Sequence, residues 1–285
     1  MRSMVITGVS SGIGYESTKL AIRKGARVFG SVREETDADR LQREFGEAFV
    51  PLRFDVRDEA AVKAAAAEVQ ETLAGGTLTG LVSNAGIAQP GPVLYQPIAE
   101  IREQIETNLI AGFTVAQAFA PLLGADRTLK GPPGRMIIMS SIAGTIGQPF
   151  MGAYVASKHG LEGLADVLRR ELMPFGIDVI AIGPAPVDTP IWDKAKPMIG
   201  RYDGTEYAEP FNDGARAMIK SGHDHSLAAG EIAELVWEAL TTAHPDARYA
   251  PAQHKVLEQI LPRILPRRWL DRIIGKATGL TRQHR

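Results

Sequence analysis

Short unbroken apolar runs alternate along the chain with longer stretches whose apolar positions recur at helical spacing. The runs fall at residues 5–6, 27–32, 50–54, 80–83, 136–139 and 178–182. Runs of this length without polar alternation suit strands buried on both faces, the environment of a parallel sheet. Right-handed crossovers through the helical stretches then predict an α/β fold, a doubly wound sheet with helices on both faces. Arg248-Tyr249-Ala250 is predicted as a seventh strand. The glycine- and proline-rich stretch 124–134 leads into the run at 136, which puts it at the amino edge of the sheet. Ligands sit at the carboxyl edge of such sheets, so this stretch is given no catalytic role.

An apolar share of 45% over 285 residues supports one sizeable core and requires no second domain. A net charge of −1 gives no general attraction to nucleic acid. The absence of cysteine removes disulfides, thiol nucleophiles and thiolate metal sites, in keeping with a reducing compartment. The first run begins too close to Met1 to leave room for a secretory leader, and no run approaches the roughly 20 apolar residues of a membrane span. A soluble, cytoplasmic protein is expected. His223 and His225 have a spacing open to metal ligation, but their Ser, Gly and Asp neighbours read as a solvated loop, and no metal is expected.

Candidate chemistry lies in two places. Tyr154 and Lys158 are four residues apart, on one face of a helix, and Ser141 precedes the tyrosine by thirteen. A phenol ionises near pH 10, and a nearby cation lowers that value, so the pair suits proton transfer. Alone, the same two residues would read as a packed tyrosine above a solvated lysine. Near the amino end, Thr7-Gly8-Val9-Ser10-Ser11-Gly12-Ile13-Gly14 follows an apolar strand and opens an amphipathic helix. That context turns glycine spacing into a dinucleotide site. Gly8 permits the turn, Gly12 admits a pyrophosphate and Gly14 lets the helix approach the strand, while the helix-terminal amides face the phosphates.

Taken in order, TGVSSGIG at 7–14, FDVRD at 54–58, SNAG at 83–86, ETNLIAG with Asn108, IIMSSIAG at 137–144, YVASK at 154–158 and PAPVDTP at 184–190 resemble the short-chain dehydrogenase/reductase family. The match covers the chain from Met4 to about Pro251. Weaker likeness points towards hydroxysteroid and retinol dehydrogenase branches. The resemblance implies a single Rossmann-fold catalytic domain over residues 1–252 with a seven-stranded parallel sheet. It also implies a catalytic set of Asn108, Ser141, Tyr154 and Lys158, in which Tyr154 moves the proton, Lys158 lowers its pKa and binds the nicotinamide ribose, Ser141 bonds the reacting oxygen and Asn108 holds a water. Its serine spacing selects Ser141 over Ser140. The implied cofactor contacts are Gly8, Ser10, Ser11, Gly12, Ile13 and Gly14 at the phosphates, Asp55 and Val56 at the adenine, and Asn84, Ala85 and Gly86 beside the nicotinamide. Tyr154, Lys158, Pro184, Val187 and Thr189 complete them. Val32 stands where NAD-preferring members carry Asp, and Arg33 follows it, so NADP(H) is favoured over NAD(H), with Glu34 and Glu35 partly opposing that charge. Ala185 departs from the family's Pro-Gly; a residue before proline is held extended, which alanine tolerates.

The insertion 186–228 follows a strand carboxyl end and carries Ile191, Trp192, Met198, Ile199, Tyr202, Tyr207, Phe211 and Met218, and the family resemblance makes it a substrate lid. Pocket positions are expected at Ile87, Gln89, Pro90, Val93, Ile142, Thr145, Met151, Pro186, Ile191 and Trp192. None is cationic, so the substrate is expected to be an apolar ketone or aldehyde and its alcohol. Two other readings remain open: a dinucleotide-sensing regulator on the same fold, and an epimerase or lyase using transient oxidation. A homodimer or homotetramer is expected through the helices bearing Tyr154 and Asn108, with Ala156, Gly160, Gly163 and Ala165 allowing close approach. The extension 253–285 is amphipathic and basic, with Leu265, Trp269, Leu270, Ile273 and Ile274 at helical spacing after Pro262 and Pro266. It is expected to pack on the lid or a partner subunit, with an anionic membrane as the alternative.

Overall fold

The computed structural model describes residues 1–224, 226–253 and 264–281. Pro262 and His225 fall outside them. The main sheet is built from β1 (Ser3–Ile6), β2 (Arg27–Val32), β3 (Phe49–Arg53), β4 (Gly80–Ser83), β5 (Arg135–Met139), β6 (Asp178–Ile182) and β9 (Arg248–Tyr249). All seven run parallel in the order β3-β2-β1-β4-β5-β6-β9. The apolar runs thus become strands at the predicted places, within a residue or two at their ends. β7 (Val187–Asp188) and β8 (Leu227–Ala228) form a separate two-stranded ladder that the sequence pattern did not predict.

Both faces of the sheet are buried because side chains alternate along each strand. Val5, Phe29, Leu81, Met136 and Val179 point into one core with α3 (Glu59–Leu73), α5 (Ala111–Phe119) and α6 (Gly152–Glu171). Their neighbours Met4, Ile6, Val28, Val82, Ile137 and Ile180 enter a second core with α1 (Gly12–Arg23), α2 (Glu35–Phe45) and α8 (Ala229–Thr241). β1 lies between β2 and β4, so the chain winds outward in both directions from it and opens a crevice at the strand carboxyl ends. The loop 124–134 bonds instead to residues ahead of β4, with Gly76 paired to Lys130 and Thr77 Oγ1 donating to the Pro132 carbonyl.

Asn108 sits in a π turn, Glu106–Ile110, between α4 (Ile98–Ile105) and α5. The segment after β7 holds α7 (Ala208–Asp224) and returns through β8. The last helix is α9 (Arg267–Ala277), started by Pro266 at its N-cap. Among the described residues, no helix is long and apolar enough to cross a membrane.

Candidate active site

One continuous cavity of about 1480 Å³ follows the strand carboxyl ends from the glycine-rich turn to the last helix. Among the catalytic and cofactor-contact residues named from the sequence, all but Gly14 and Asn108 line it. Gly8 and Gly12 adopt φ of +71° and +60°, a region that side chains rarely enter. A Cβ on Gly14 would stand 2.2 Å from the Gly8 carbonyl oxygen, which closes this position to any other residue. Thr7 braces the turn from below: its Oγ1 accepts from the backbone N–H groups of Asn84 and Ala85 at 2.9 and 3.0 Å. The Asn84 amide donates to the Thr7 carbonyl at 2.9 Å, and the Gly8 N–H donates to Ser31 Oγ at 2.9 Å. Ser11 caps α1 without a side-chain bond, so the first amides of α1 are open to an anion. The cradle and its free amides fit a pyrophosphate.

Beyond β2, Arg33 is exposed on the cavity wall and forms no ion pair among the described residues. Glu35, one of the two carboxylates set against it, is held by Arg53. Asp55 is bound on both oxygens by Arg57, at 2.7 Å for Nη2 to Oδ2 and 3.0 Å for Nε to Oδ1. The Arg57 hydrogen bond holds its carboxyl below the usual range, with Arg33 adding to the effect.

At the other end of the turn stand Ser141, Tyr154 and Lys158. Burial pushes the Tyr154 phenol above its usual pKa, and a hydrogen bond from Ser141 offsets part of that rise. The Lys158 ammonium lies 5.6 Å from the Tyr154 ring centre and donates to the Met139 carbonyl at 2.9 Å. Burial lowers its pKa to about 8, against an opposing pull from Glu162. In the protein alone, then, the tyrosine is shifted up rather than down, because desolvation outweighs the Ser141 hydroxyl. Ser140 is buried with its hydroxyl unpartnered among the described residues, and the adjacent Ser141, whose Oγ accepts from the Ala143 N–H at 3.2 Å, lines the cavity with Tyr154.

Asn108 lies beneath this group. Its side chain clamps Ile87, accepting from the backbone N–H at 2.8 Å and donating to the carbonyl at 2.9 Å, and donates its second hydrogen to Ser157 Oγ at 3.1 Å. Both amide hydrogens are therefore taken up, one holding the chain after β4 and the other reaching α6. Gly86 separates Asn108 from Lys158; a Cβ there would be 3.2 Å from Asn108 Oδ1 and 3.8 Å from Lys158 Nζ.

After β6, Ala185 donates its N–H to the Pro251 carbonyl at 2.9 Å without entering positive φ, so the turn survives the loss of glycine. Thr189 approaches Gly12, whose Cβ would meet its methyl at 3.0 Å. Ile87, Pro90, Ile142, Met151, Pro186, Ile191 and Trp192 line the cavity as expected. Gln89, Val93 and Thr145 do not. Gln89 turns to Glu103, Val93 is exposed, and Thr145 bonds the Ile142 carbonyl. The sequence reading missed Phe150, a cavity residue at φ +65° whose ring meets Phe211 edge-on at 5.5 Å. No residue type announces that conformation, since a bulky side chain rarely adopts it. The cavity's last wall is Leu265, Leu270, Ile273 and Ile274 from the carboxyl-terminal segment. The side chain of His223 and all of His225 lie outside the described residues, and the described residues hold no cluster suited to a metal ion.

A parallel sheet with an anion cradle at its switch point and a Ser-Tyr-Lys group beside it defines a dinucleotide-binding oxidoreductase class. The family profile described as short chain dehydrogenase matches residues 2–200, and the chain belongs to that family. An NADPH-dependent 3-dehydrocapnine reductase from Ornithobacterium rhinotracheale is 39% identical over 276 residues, 97% of each chain. Human retinol dehydrogenase 16 is 30% identical over 260 residues, 86% of this chain and 78% of the relative. The crystal structure of a short-chain dehydrogenase from Streptomyces avermitilis superposes with a TM-score of 0.78 over 99% of this chain and 98% of that one, at 22% identity, and so shares the fold.

Proposed function

We propose that this oxidoreductase is an NADP(H)-dependent reductase of an apolar ketone or aldehyde, with Tyr154 as the proton donor. The observation that carries the reading is the grouping of Ser141, Tyr154 and buried Lys158 on one cavity wall, where the glycine cradle meets an apolar lobe. Bound NADPH supplies a hydride to the carbonyl carbon. Tyr154, kept protonated by burial at neutral pH, gives its phenol proton to the carbonyl oxygen. Ser141 orients that oxygen, and the Lys158 ammonium stabilises the phenolate left behind. Asn108 keeps the Ile87 segment in register with Gly86 and Lys158.

The cofactor preference rests on Arg33, an exposed cavity-wall cation without an ion-pair partner among the described residues, and the 3-dehydrocapnine reductase named as NADPH-dependent supports it. The segment between β7 and β8 acts as the substrate lid, with Phe211 and Met218 towards the cavity. The test is a panel of apolar ketones and aldehydes assayed with NADPH and with NADH. Turnover faster with NADPH is expected, and Arg33→Ala should weaken NADPH by roughly ten- to a hundredfold, the scale of a charged hydrogen bond, with little effect on NADH. A wild-type preference for NADH, or equal weakening of both, overturns the cofactor assignment.

A further inference from the structure

Helix α9 uses only part of its circumference to cover the cavity. Leu270 and Ile274 face the cavity, and Leu280 beyond them packs against the cluster of Phe150, Tyr202 and Phe211. At 3.6 residues per turn, Trp269 stands on the next row round the helix and is 60% exposed, with Ile273 below it at the rim of the cavity and still 55% exposed. Ile264, just ahead of the helix, is 70% exposed. The row after that is Arg268, Arg272 and Lys276, each exposed and without an ion pair among the described residues. A helix facing water has no use for tryptophan and isoleucine side by side with a row of cations. A helix lying in a lipid interface has that order, with apolar groups below the headgroups and long basic side chains reaching back to the phosphates.

Charge narrows the occupant. Residues 254–285 carry eight Lys/Arg against two Asp/Glu although the chain as a whole stands at −1, so the positive field is confined to this end of an otherwise acidic protein. We propose that this face of α9 seats the enzyme on an anionic lipid bilayer surface. The helix has 11 residues, about 16 Å at 1.5 Å per residue, too short to span a bilayer and suited to lying on one. Because the adjoining row of the same helix is the wall of the cavity, docking sets the cavity beside the bilayer, where an apolar carbonyl compound would be held.

The test uses the full chain in flotation with phosphatidylcholine vesicles prepared with and without phosphatidylglycerol, at low and high salt. Binding to the phosphatidylglycerol vesicles alone, released by salt, is expected. Arg268→Gln/Arg272→Gln/Lys276→Gln and, separately, Trp269→Ser should each weaken partitioning by roughly tenfold or more while leaving the unfolding midpoint in place. Absence of binding overturns the proposal, as does salt-insensitive binding to phosphatidylcholine or binding untouched by either variant. Light scattering that shows a Trp269-dependent dimer without vesicle binding assigns the face to a second copy of the chain and overturns it equally.

Discussion

In the proposed mechanism Lys158 must be charged to hold the phenolate that Tyr154 leaves, and burial has brought its pKa to about 8. The kcat/KM for carbonyl reduction should therefore fall as pH rises through about 8. Stability moves the other way. Between the folded value of about 8 and the ordinary lysine value of 10.5 the unfolded chain holds more protons at this lysine, so its contribution to stability rises with pH across that window. Loss of activity above pH 8 is thus separable from unfolding by a melting curve. Glu162 supports the charged form from one helical turn away, while pairing with Arg248 at 2.8 and 3.1 Å. Glu162→Gln should move the falling limb to lower pH; an unmoved limb in a folded variant contradicts the role given to Glu162. Helical spacing offered Tyr154 and Lys158, and the family resemblance selected them together with Ser141. Burial decides their pKa values, and it arises from distant strands. Thr7, Ser31 and Arg57 escaped notice for a related reason: each is an ordinary strand-end residue until the partner across the sheet is known.

The β-strands were legible because a strand buried on both faces leaves an unbroken apolar run, and helices of ordinary amphipathicity separate them. The β7–β8 ladder left no such trace, having two residues on each side. The carboxyl-terminal stripe was readable as amphipathic, yet periodicity alone does not say what covers it. Leu265, Leu270 and Ile274 line the cavity, and Leu280 after them packs on Phe150, Tyr202 and Phe211, whereas Arg33 and the glycine turn follow β2 and β1. Truncation after His254 should therefore change KM for the ketone by severalfold or more while NADPH affinity, read by fluorescence titration, stays within about twofold, since large-to-small loss of a packed wall acts locally. Equal damage to both would show that α9 supports the whole fold rather than the substrate end.

At the scale of the molecule, the outer face of α5, α6 and the π turn before them exposes Ile110, Phe113 and Val167 together with Ala156 and Gly163. The expected packing residues divide here. Gly160 meets Leu109 of its own chain and Ala165 is buried in its core, whereas Ala156 and Gly163 are left outward. That exposed apolar face predicts self-association: light scattering should give at least a dimer at micromolar concentration, and Phe113→Asp/Val167→Asp should give a monomer. A wild-type monomer removes the prediction. The central claim, that this chain reduces a carbonyl by proton transfer from Tyr154, is tested most directly by single-turnover NADPH oxidation with the best ketone of the panel, comparing wild type with Tyr154→Phe at saturating cofactor. The account predicts a rate at least about a hundredfold lower in the variant with NADPH affinity retained; a rate near that of wild type in the folded, NADPH-bound variant would contradict it.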